Sequence, residues 1–130
     1  MAVLKKTEFE IPCPHRVGEL ACALETLAQA GANVLAFCGY GHNDKAMIMI
    51  VVDDEAKAKS ALKGAGIKFQ SHPVVAVMGR SGPGEGGRLA RALADAKVNI
   101  EYTYASTSGA GESTAIFAVK NVRKALKVLA

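Results

Sequence analysis

The sequence predicts an α+β fold made of two consecutive βαββαβ repeats, the second of which lacks its last strand. The first reason is an internal match: residues 17–34 align without a gap with residues 83–100, so that Gly18 corresponds to Gly84 at an offset of 66 residues. The second reason is that strand-like and hairpin-like segments flank both matching stretches in the same order. The link at residues 71–73 is too short for independent tumbling, and we place the repeats at residues 1–70 and 73–130.

The first repeat opens with a strand and a helix. Residues 3–11 alternate between apolar and polar side chains as a strand does, and Pro12 and Pro14 are expected to end that strand. Apolar residues between positions 20 and 28 recur at the spacing of one buried helical face. Because Gly31 follows as a typical helix stop, a helix is predicted before it.

A hairpin, a second helix and a short strand complete this repeat. The β-prone runs 34–38 and 46–52 are separated by a segment rich in Gly, Asn and Asp, which predicts a hairpin loop. Asp53 and Asp54 can cap a helix over residues 55–63, and residues 67–70 are predicted as the fourth strand. The predicted order is therefore β-α-β-β-α-β.

The second repeat follows the same order but stops one element early. Its predicted elements are a strand at 74–78, a helix from Gly87 or Arg88 to Lys97, strands at 100–104 and 114–119 around a turn at 108–113, and a helix at 122–129. No counterpart of residues 67–70 follows. We therefore expect residues 74–78 to present an open apolar edge, through which the chain forms a homodimer or pairs with a target enzyme.

Composition narrows the class of protein. Half of the residues are hydrophobic and only 5% are aromatic, so the core must be built from aliphatic side chains. The net charge of +4 comes from lysines spread along predicted helices, which favours a solvated helix face over a nucleic-acid patch. Three cysteines without a C-x-x-C pair favour a reducing compartment. The N-terminus resembles no secretory signal and no apolar run is long enough to cross a bilayer, so a cytoplasmic location is expected.

The loop, the helix and the strand that follows carry a family resemblance. A glycine-containing loop, a helix and a G-x-N-[VI] segment entering a strand, within β-α-β-β-α-β, resemble the ACT domain family. Residues 83–105 are the most family-like stretch, and residues 99–105 are similar to small bacterial proteins composed only of tandem ACT domains. The resemblance implies ferredoxin-like repeats with antiparallel sheets and helices on one face. It also implies a regulatory protein, not an enzyme, that binds a small amino acid between paired units and controls amino-acid metabolism.

Two departures from the family pattern concern the loops. Val17 stands where the family usually has the proline seen at Pro83. Gly86 and Gly87 stand where a leucine normally begins the helix. Together with the missing last strand, these departures indicate that the two repeats are unequal as binding units.

The candidate ligand-binding residues lie in the two strand-to-helix loops and just before the strand after each helix. A zwitterionic amino acid needs donors for its carboxylate, which helix N-terminal amides and arginines supply, and glycine lets a backbone approach closely. An asparagine amide can both donate and accept. The predicted residues are His15, Arg16, Val17, Gly18, Asn33, Arg80, Ser81, Gly82, Pro83, Gly84 and Asn99.

Structural explanations for these residues stay open, as do other functions. The glycines are equally explained by tight turns, the asparagines by loop hydrogen bonds and the arginines by solvation. A nucleic-acid module shares the element order, but residues 46–52 contain no aromatic side chain for base stacking. An acylphosphatase-type enzyme would need an arginine-bearing phosphate loop and a positioned asparagine. Arg80 and Asn99 match these residue types, but the sequence motif that surrounds them in such enzymes is missing. A subunit that binds proteins and has lost its ligand is a further alternative, and neither a metal nor a cofactor is predicted.

Overall fold

The structure is a computed structural model that describes residues 1–109 and 111–130. Six strands and four helices alternate along these residues in an α+β fold. The strands are β1 (Ala2–Pro14), β2 (Val34–His42), β3 (Lys45–Val52), β4 (Gln70–Arg80), β5 (Ile100–Thr107) and β6 (Glu112–Val119). The helices are α1 (Glu19–Gln29), α2 (Glu55–Gly64), α3 (Glu85–Asp95) and α4 (Val122–Leu129).

The strands form one six-stranded sheet in the order β2-β3-β1-β4-β6-β5. The pairs β1/β3, β2/β3, β4/β6 and β5/β6 are antiparallel. The chain divides into two compact units, which we call the 7–72 unit (Thr7–His72) and the 73–130 unit (Pro73–Ala130 together with Met1–Lys6). β1 and β4 therefore each contribute residues to both units.

Each unit has its own apolar core between its strands and its two helices. In the 7–72 unit, Phe9 and Ile11 of β1 pack with Leu27 of α1 and Leu62 of α2. Phe9 also meets the Phe69 ring edge to face, with centroids 5.5 Å apart. The core of the 73–130 unit contains Val75, Val77, Leu89, Leu93, Phe117 and Leu129. Both cores are mainly aliphatic, as the composition predicts, and each also contains phenylalanine.

The predicted open edge of β4 is wrong. β4 lies between β1 and β6 in the sheet, so it is not an edge strand. The first residues of the chain belong to the 73–130 unit, where Val3 packs against the core. The segment that completes this unit comes from the opposite end of the chain, so pairing with a second copy or a target enzyme through β4 has no free edge to use.

Two strands are longer than predicted. β1 continues through Pro12 and Pro14, which align with Met47 and Lys45 of β3. Proline has no backbone N–H to donate. Because residues two apart point their N–H groups to the same side of a strand, the donors that Pro12 and Pro14 lack are both missing from one side of β1. Instead of a strand at 67–70, a linker and a strand at 74–78, the structure has the single strand β4, and residues 67–69 lie outside it.

The first hairpin loop is shorter than predicted and the third helix begins earlier. β2 and β3 are joined by Asn43 and Asp44 alone, and Asn43 has the left-handed φ of 59° that such a two-residue turn favours. α3 starts at Glu85 and includes Gly86 and Gly87. In the second hairpin, the predicted turn at 108–113 overlaps β6 from Glu112 onward, and Ala110 lies outside the described residues.

Candidate functional site

A groove of about 250 Å³ opens at the N-terminal end of α3 in the 73–130 unit. Val77, Leu89, Ala105 and Ala115 line it with apolar atoms. This volume is below that of sites for drug-sized ligands, so the groove suits a smaller molecule. The polar lining comes from Arg80, Ser81, Glu85, Ser106, Thr107 and Ser113.

The loop at the mouth contains several of the predicted residues. Arg80, Ser81 and Gly82 line the groove, whereas Pro83 and Gly84 follow in the same loop without lining it. The Ser81 N–H donates to the carbonyl oxygen of Gly111 at 2.6 Å, which ties the loop to the β5–β6 hairpin. Gly84 precedes α3 with a φ of 87°, a conformation that glycine adopts without strain. The tight turn therefore accounts for Gly84.

Charges of both signs face the groove. Arg80 is exposed at the end of β4, and Glu85 lies in the first turn of α3. Arg88 donates to the two carboxylate oxygens of Glu85 at 2.9 and 3.3 Å. This hydrogen bonding and the charge of Arg88 lower the pKa of Glu85, and Glu85 in turn raises the pKa of Arg88. Glu85 is thus an ionised acceptor beside a guanidinium donor.

The corresponding loop in the 7–72 unit is held by the β2–β3 turn. The His15 N–H donates to the carbonyl oxygen of Asp44 at 2.9 Å, and its ring Nδ1 lies 3.0 Å from the carbonyl oxygen of Asn43. The Arg16 guanidinium pairs with the Glu19 carboxylate. Val17 is fully exposed, and Gly18 has a φ of 92° before α1.

Asn33 and Asn99 lie at the opposite ends of the helices from these loops. α1 and α3 each span 11 residues, about 16 Å at roughly 1.5 Å per residue. The Asn33 N–H donates to Oδ1 of Asp53 at 2.8 Å, and the Asp53 N–H donates to the Asn33 carbonyl at 2.9 Å. Asn99 borders shallow depressions beside Lys97 and Val98. Within either unit, the asparagine and the loop are not brought together.

The sequence analysis did not identify a cluster of ionisable groups that involves the face of β1 opposite the core residues Phe9 and Ile11. His72 Nε2 lies 3.0 Å from Oε1 of the fully buried Glu8 and 3.9 Å from Oε1 of Glu10. The three side chains place ligand atoms within 4.8 Å of one another. The available signal was the alternation of β1, which puts Glu8 and Glu10 on the face opposite Phe9. The contact with His72 gives the buried Glu8 carboxyl a polar partner.

Comparisons with known proteins identify the fold. No protein-family model and no curated protein matches the chain. The protein BT0572 from Bacteroides thetaiotaomicron has a similar structure, with a TM-score of 0.86 and 24% identity over 98% of this chain and 88% of that chain. The ligand-free regulatory subunit of aspartate kinase from Thermus thermophilus has a TM-score of 0.71 and 20% identity, over 98% and 93% of the two chains. The corresponding subunit from Thermus flavus has a TM-score of 0.62 and 22% identity, again over 98% and 93%.

At these identities the likeness shows that the chain shares the fold of aspartate kinase regulatory subunits. That fold is compatible with the ferredoxin-like ACT architecture expected from the sequence. Among the described residues, no helix is both long and apolar enough to cross a bilayer.

Proposed function

We propose that this chain is a non-catalytic regulatory protein of two ACT-like repeats that binds a small amino acid in the groove of the 73–130 unit. The observation that carries the proposal is that Arg80 and Glu85, a cation and an anion, both line one small groove. Aspartate kinase regulatory subunits share the fold, which supports a role in controlling an enzyme of amino-acid metabolism in the cytoplasm.

The groove is chemically complementary to a free amino acid. The guanidinium of Arg80 and the amides at the start of α3 offer donors to a carboxylate, and the positive end of the helix dipole attracts it. The Glu85 carboxylate offers an acceptor to an ammonium group. Leu89 and Ala115 leave an apolar surface for a short side chain. These groups favour a small amino acid over an anion that lacks an ammonium group.

Binding can be tested by thermal unfolding and calorimetry with each standard amino acid. We expect at least one to stabilise the protein, and Arg80→Ala to weaken its binding. Losing a hydrogen bond to a charged group costs about 1.5 to 3 kcal/mol, which is roughly a ten- to hundredfold rise in Kd. Arg91→Ala is the matched control, because Arg91 is exposed on α3 and pairs with Asp95 at 3.8 Å outside the groove.

Two results would contradict this proposal. One is that no amino acid stabilises the protein. The other is that Arg80→Ala and Arg91→Ala have equal effects on binding. The first result would favour a subunit that recognises a partner protein without a ligand.

A further inference from the structure

The strand-to-helix loops of the two units are anchored in the same way but carry different side chains. By the 66-residue offset, His15 corresponds to Ser81 and Gly41 to Thr107. Both loops are fixed by an N–H that donates to the following hairpin, from His15 to Asp44 and from Ser81 to Gly111. The side chain at this loop position therefore starts from a comparable backbone position in each unit.

His15 lies directly against Gly41. A Cβ built on Gly41 would come within 2.5 Å of the ring nitrogens Nδ1 and Nε2, which no real side chain tolerates. The absence of a side chain at Gly41 is thus what admits the imidazole. Nδ1 of the same ring lies 3.0 Å from the Asn43 carbonyl, which fixes the ring over the end of β2.

The residues aligned across the strands next to the imidazole, which we call the covered row (Gly41, Ala46 and Cys13), also differ from their counterparts in the 73–130 unit. In the 7–72 unit, Ala46 of β3 aligns with Gly41 on one side and Cys13 on the other. In the 73–130 unit, Ser113 aligns with Thr107 and Gly79, and all three line the groove. The two groove hydroxyls are therefore replaced by Gly41 and Ala46, which cannot hydrogen-bond a ligand through their side chains.

Larger side chains also replace small ones around this position. Leu20 occupies the α1 position that corresponds to Gly86 of α3. Ile48, which pairs with Gly39, occupies the position of Ala115, which pairs with Ala105. The buried Ile48 side chain takes up space between helix and sheet near the loop, whereas Leu20 is partly exposed. Gly86 and Ala115, which line the groove, therefore have larger counterparts in the 7–72 unit.

We infer that the 7–72 unit carries a closed counterpart of the groove, covered by the imidazole of His15, so that the chain offers one amino-acid site. The claim that the chain has one amino-acid site rests on the proposed function. The closure itself does not, because it concerns only contacts within the 7–72 unit.

The closure is tested through Cys13, which lies in the covered row and is partly buried against the core. Burial raises the pKa of its thiol, which slows its reaction with iodoacetamide. We expect His15→Ala to increase the alkylation of Cys13 severalfold relative to that of Cys38, as measured by peptide mass spectrometry. His42→Ala is the matched control, because this exposed histidine lies on the same strand as Gly41 and should leave the ratio unchanged.

A second variant keeps the test decisive if His15→Ala unfolds the protein. Gly41→Ala places a Cβ where the ring lies, so it should displace the exposed imidazole and increase the alkylation of Cys13 relative to that of Cys38. Gly39→Ala should not, because its Cβ would meet nothing closer than the Met47 carbonyl at 3.9 Å. An unchanged Cys13 ratio in folded His15→Ala, or equal effects of the two glycine variants, would overturn the closure.

The claim of a single site is tested by giving the 73–130 unit the two residues that the 7–72 unit has at the corresponding positions, a histidine in the loop and a glycine on the strand. Ser81→His combined with Thr107→Gly should abolish the stabilisation by any amino acid that stabilises the wild-type protein, whereas His15→Ala should preserve it. Loss of binding in His15→Ala alone would place the site in the 7–72 unit and overturn the inference. If no amino acid stabilises the wild-type protein, the proposed function fails, while the Cys13 alkylation still decides the closure.

Discussion

At the scale of single residues, Asp53 shows how one carboxylate fixes a junction between elements. Its Oδ1 accepts hydrogen bonds from the N–H groups of Asn33 at 2.8 Å and Asp54 at 2.6 Å. The hydrogen bond from Asn33 is the main reason why the pKa of Asp53 lies below its ordinary value. The ionised carboxylate therefore joins the start of β2 to the end of β3.

This contact predicts a pH-dependent stability. A lowered pKa in the folded state means that the ionised group stabilises the protein above its unfolded pKa of about 3.9, and that this contribution is lost as the pH falls through the lowered value. Asp53→Asn should reduce the free energy of unfolding at neutral pH, and the difference from wild type should shrink below about pH 4. Urea unfolding at a series of pH values measures it. Asp95→Asn, which removes an exposed carboxylate of a surface ion pair, should show no such trend.

The roles of loop residues were predictable from the sequence where they depend only on the local backbone conformation. Gly18 and Gly84 both occupy the left-handed conformation that a turn before a helix requires. The position of the His15 ring was not predictable, because it depends on Gly41, which is distant along the chain and adjacent only after the hairpin forms. Asn33 was predicted as a ligand contact through its side-chain amide, and that contact stays a prediction; its backbone N–H donates to Asp53.

At the scale of elements, β1 contributes residues to both units. Its first residues complete the 73–130 unit and its remaining residues lie in the 7–72 unit. The helices were well predicted, because their buried stripes and caps are local signals; Asp54 accepts from the Lys57 N–H at 3.1 Å as the cap of α2. The partner of β4 was not predicted, since strand pairing between distant segments leaves no local pattern.

The contribution of β1 to the 73–130 unit is testable at Val3. Val3→Ala removes apolar atoms that pack against this core and should cost about 1 kcal/mol of unfolding free energy. Amide hydrogen exchange should show faster exchange in β4 of the 73–130 unit. Lys5→Ala, at an exposed position of the same strand, should change neither quantity measurably. Equal effects of the two variants would mean that this segment contributes no packing.

At the scale of the whole molecule, two separate cores depend on shared strands. Leu27 and Leu93 are fully buried at corresponding positions of α1 and α3, one in each core. Because β1 and β4 each run through both units, unfolding of either unit should disrupt strands that continue into the other. We therefore expect one cooperative unfolding transition.

Two substitutions test this cooperativity. Leu27→Ala and Leu93→Ala should each cost about 2 to 5 kcal/mol and shift the same single transition in denaturant, followed by circular dichroism. Two resolved transitions, of which each variant moves only one, would show that the units unfold independently. Leu24→Ala, at a partly buried position, should cause a smaller shift.

The shared strands also limit how the chain can be dissected. A cut between His72 and Pro73 follows the apparent boundary of the sequence repeat, but it leaves the segment Met1–Lys6 attached to the wrong half. Each fragment would then expose strand edges that the intact chain keeps paired, and exposed edges promote aggregation. The fragment 73–130 should therefore be soluble only when it is produced together with the fragment 1–72, which carries the segment Met1–Lys6 that it lost.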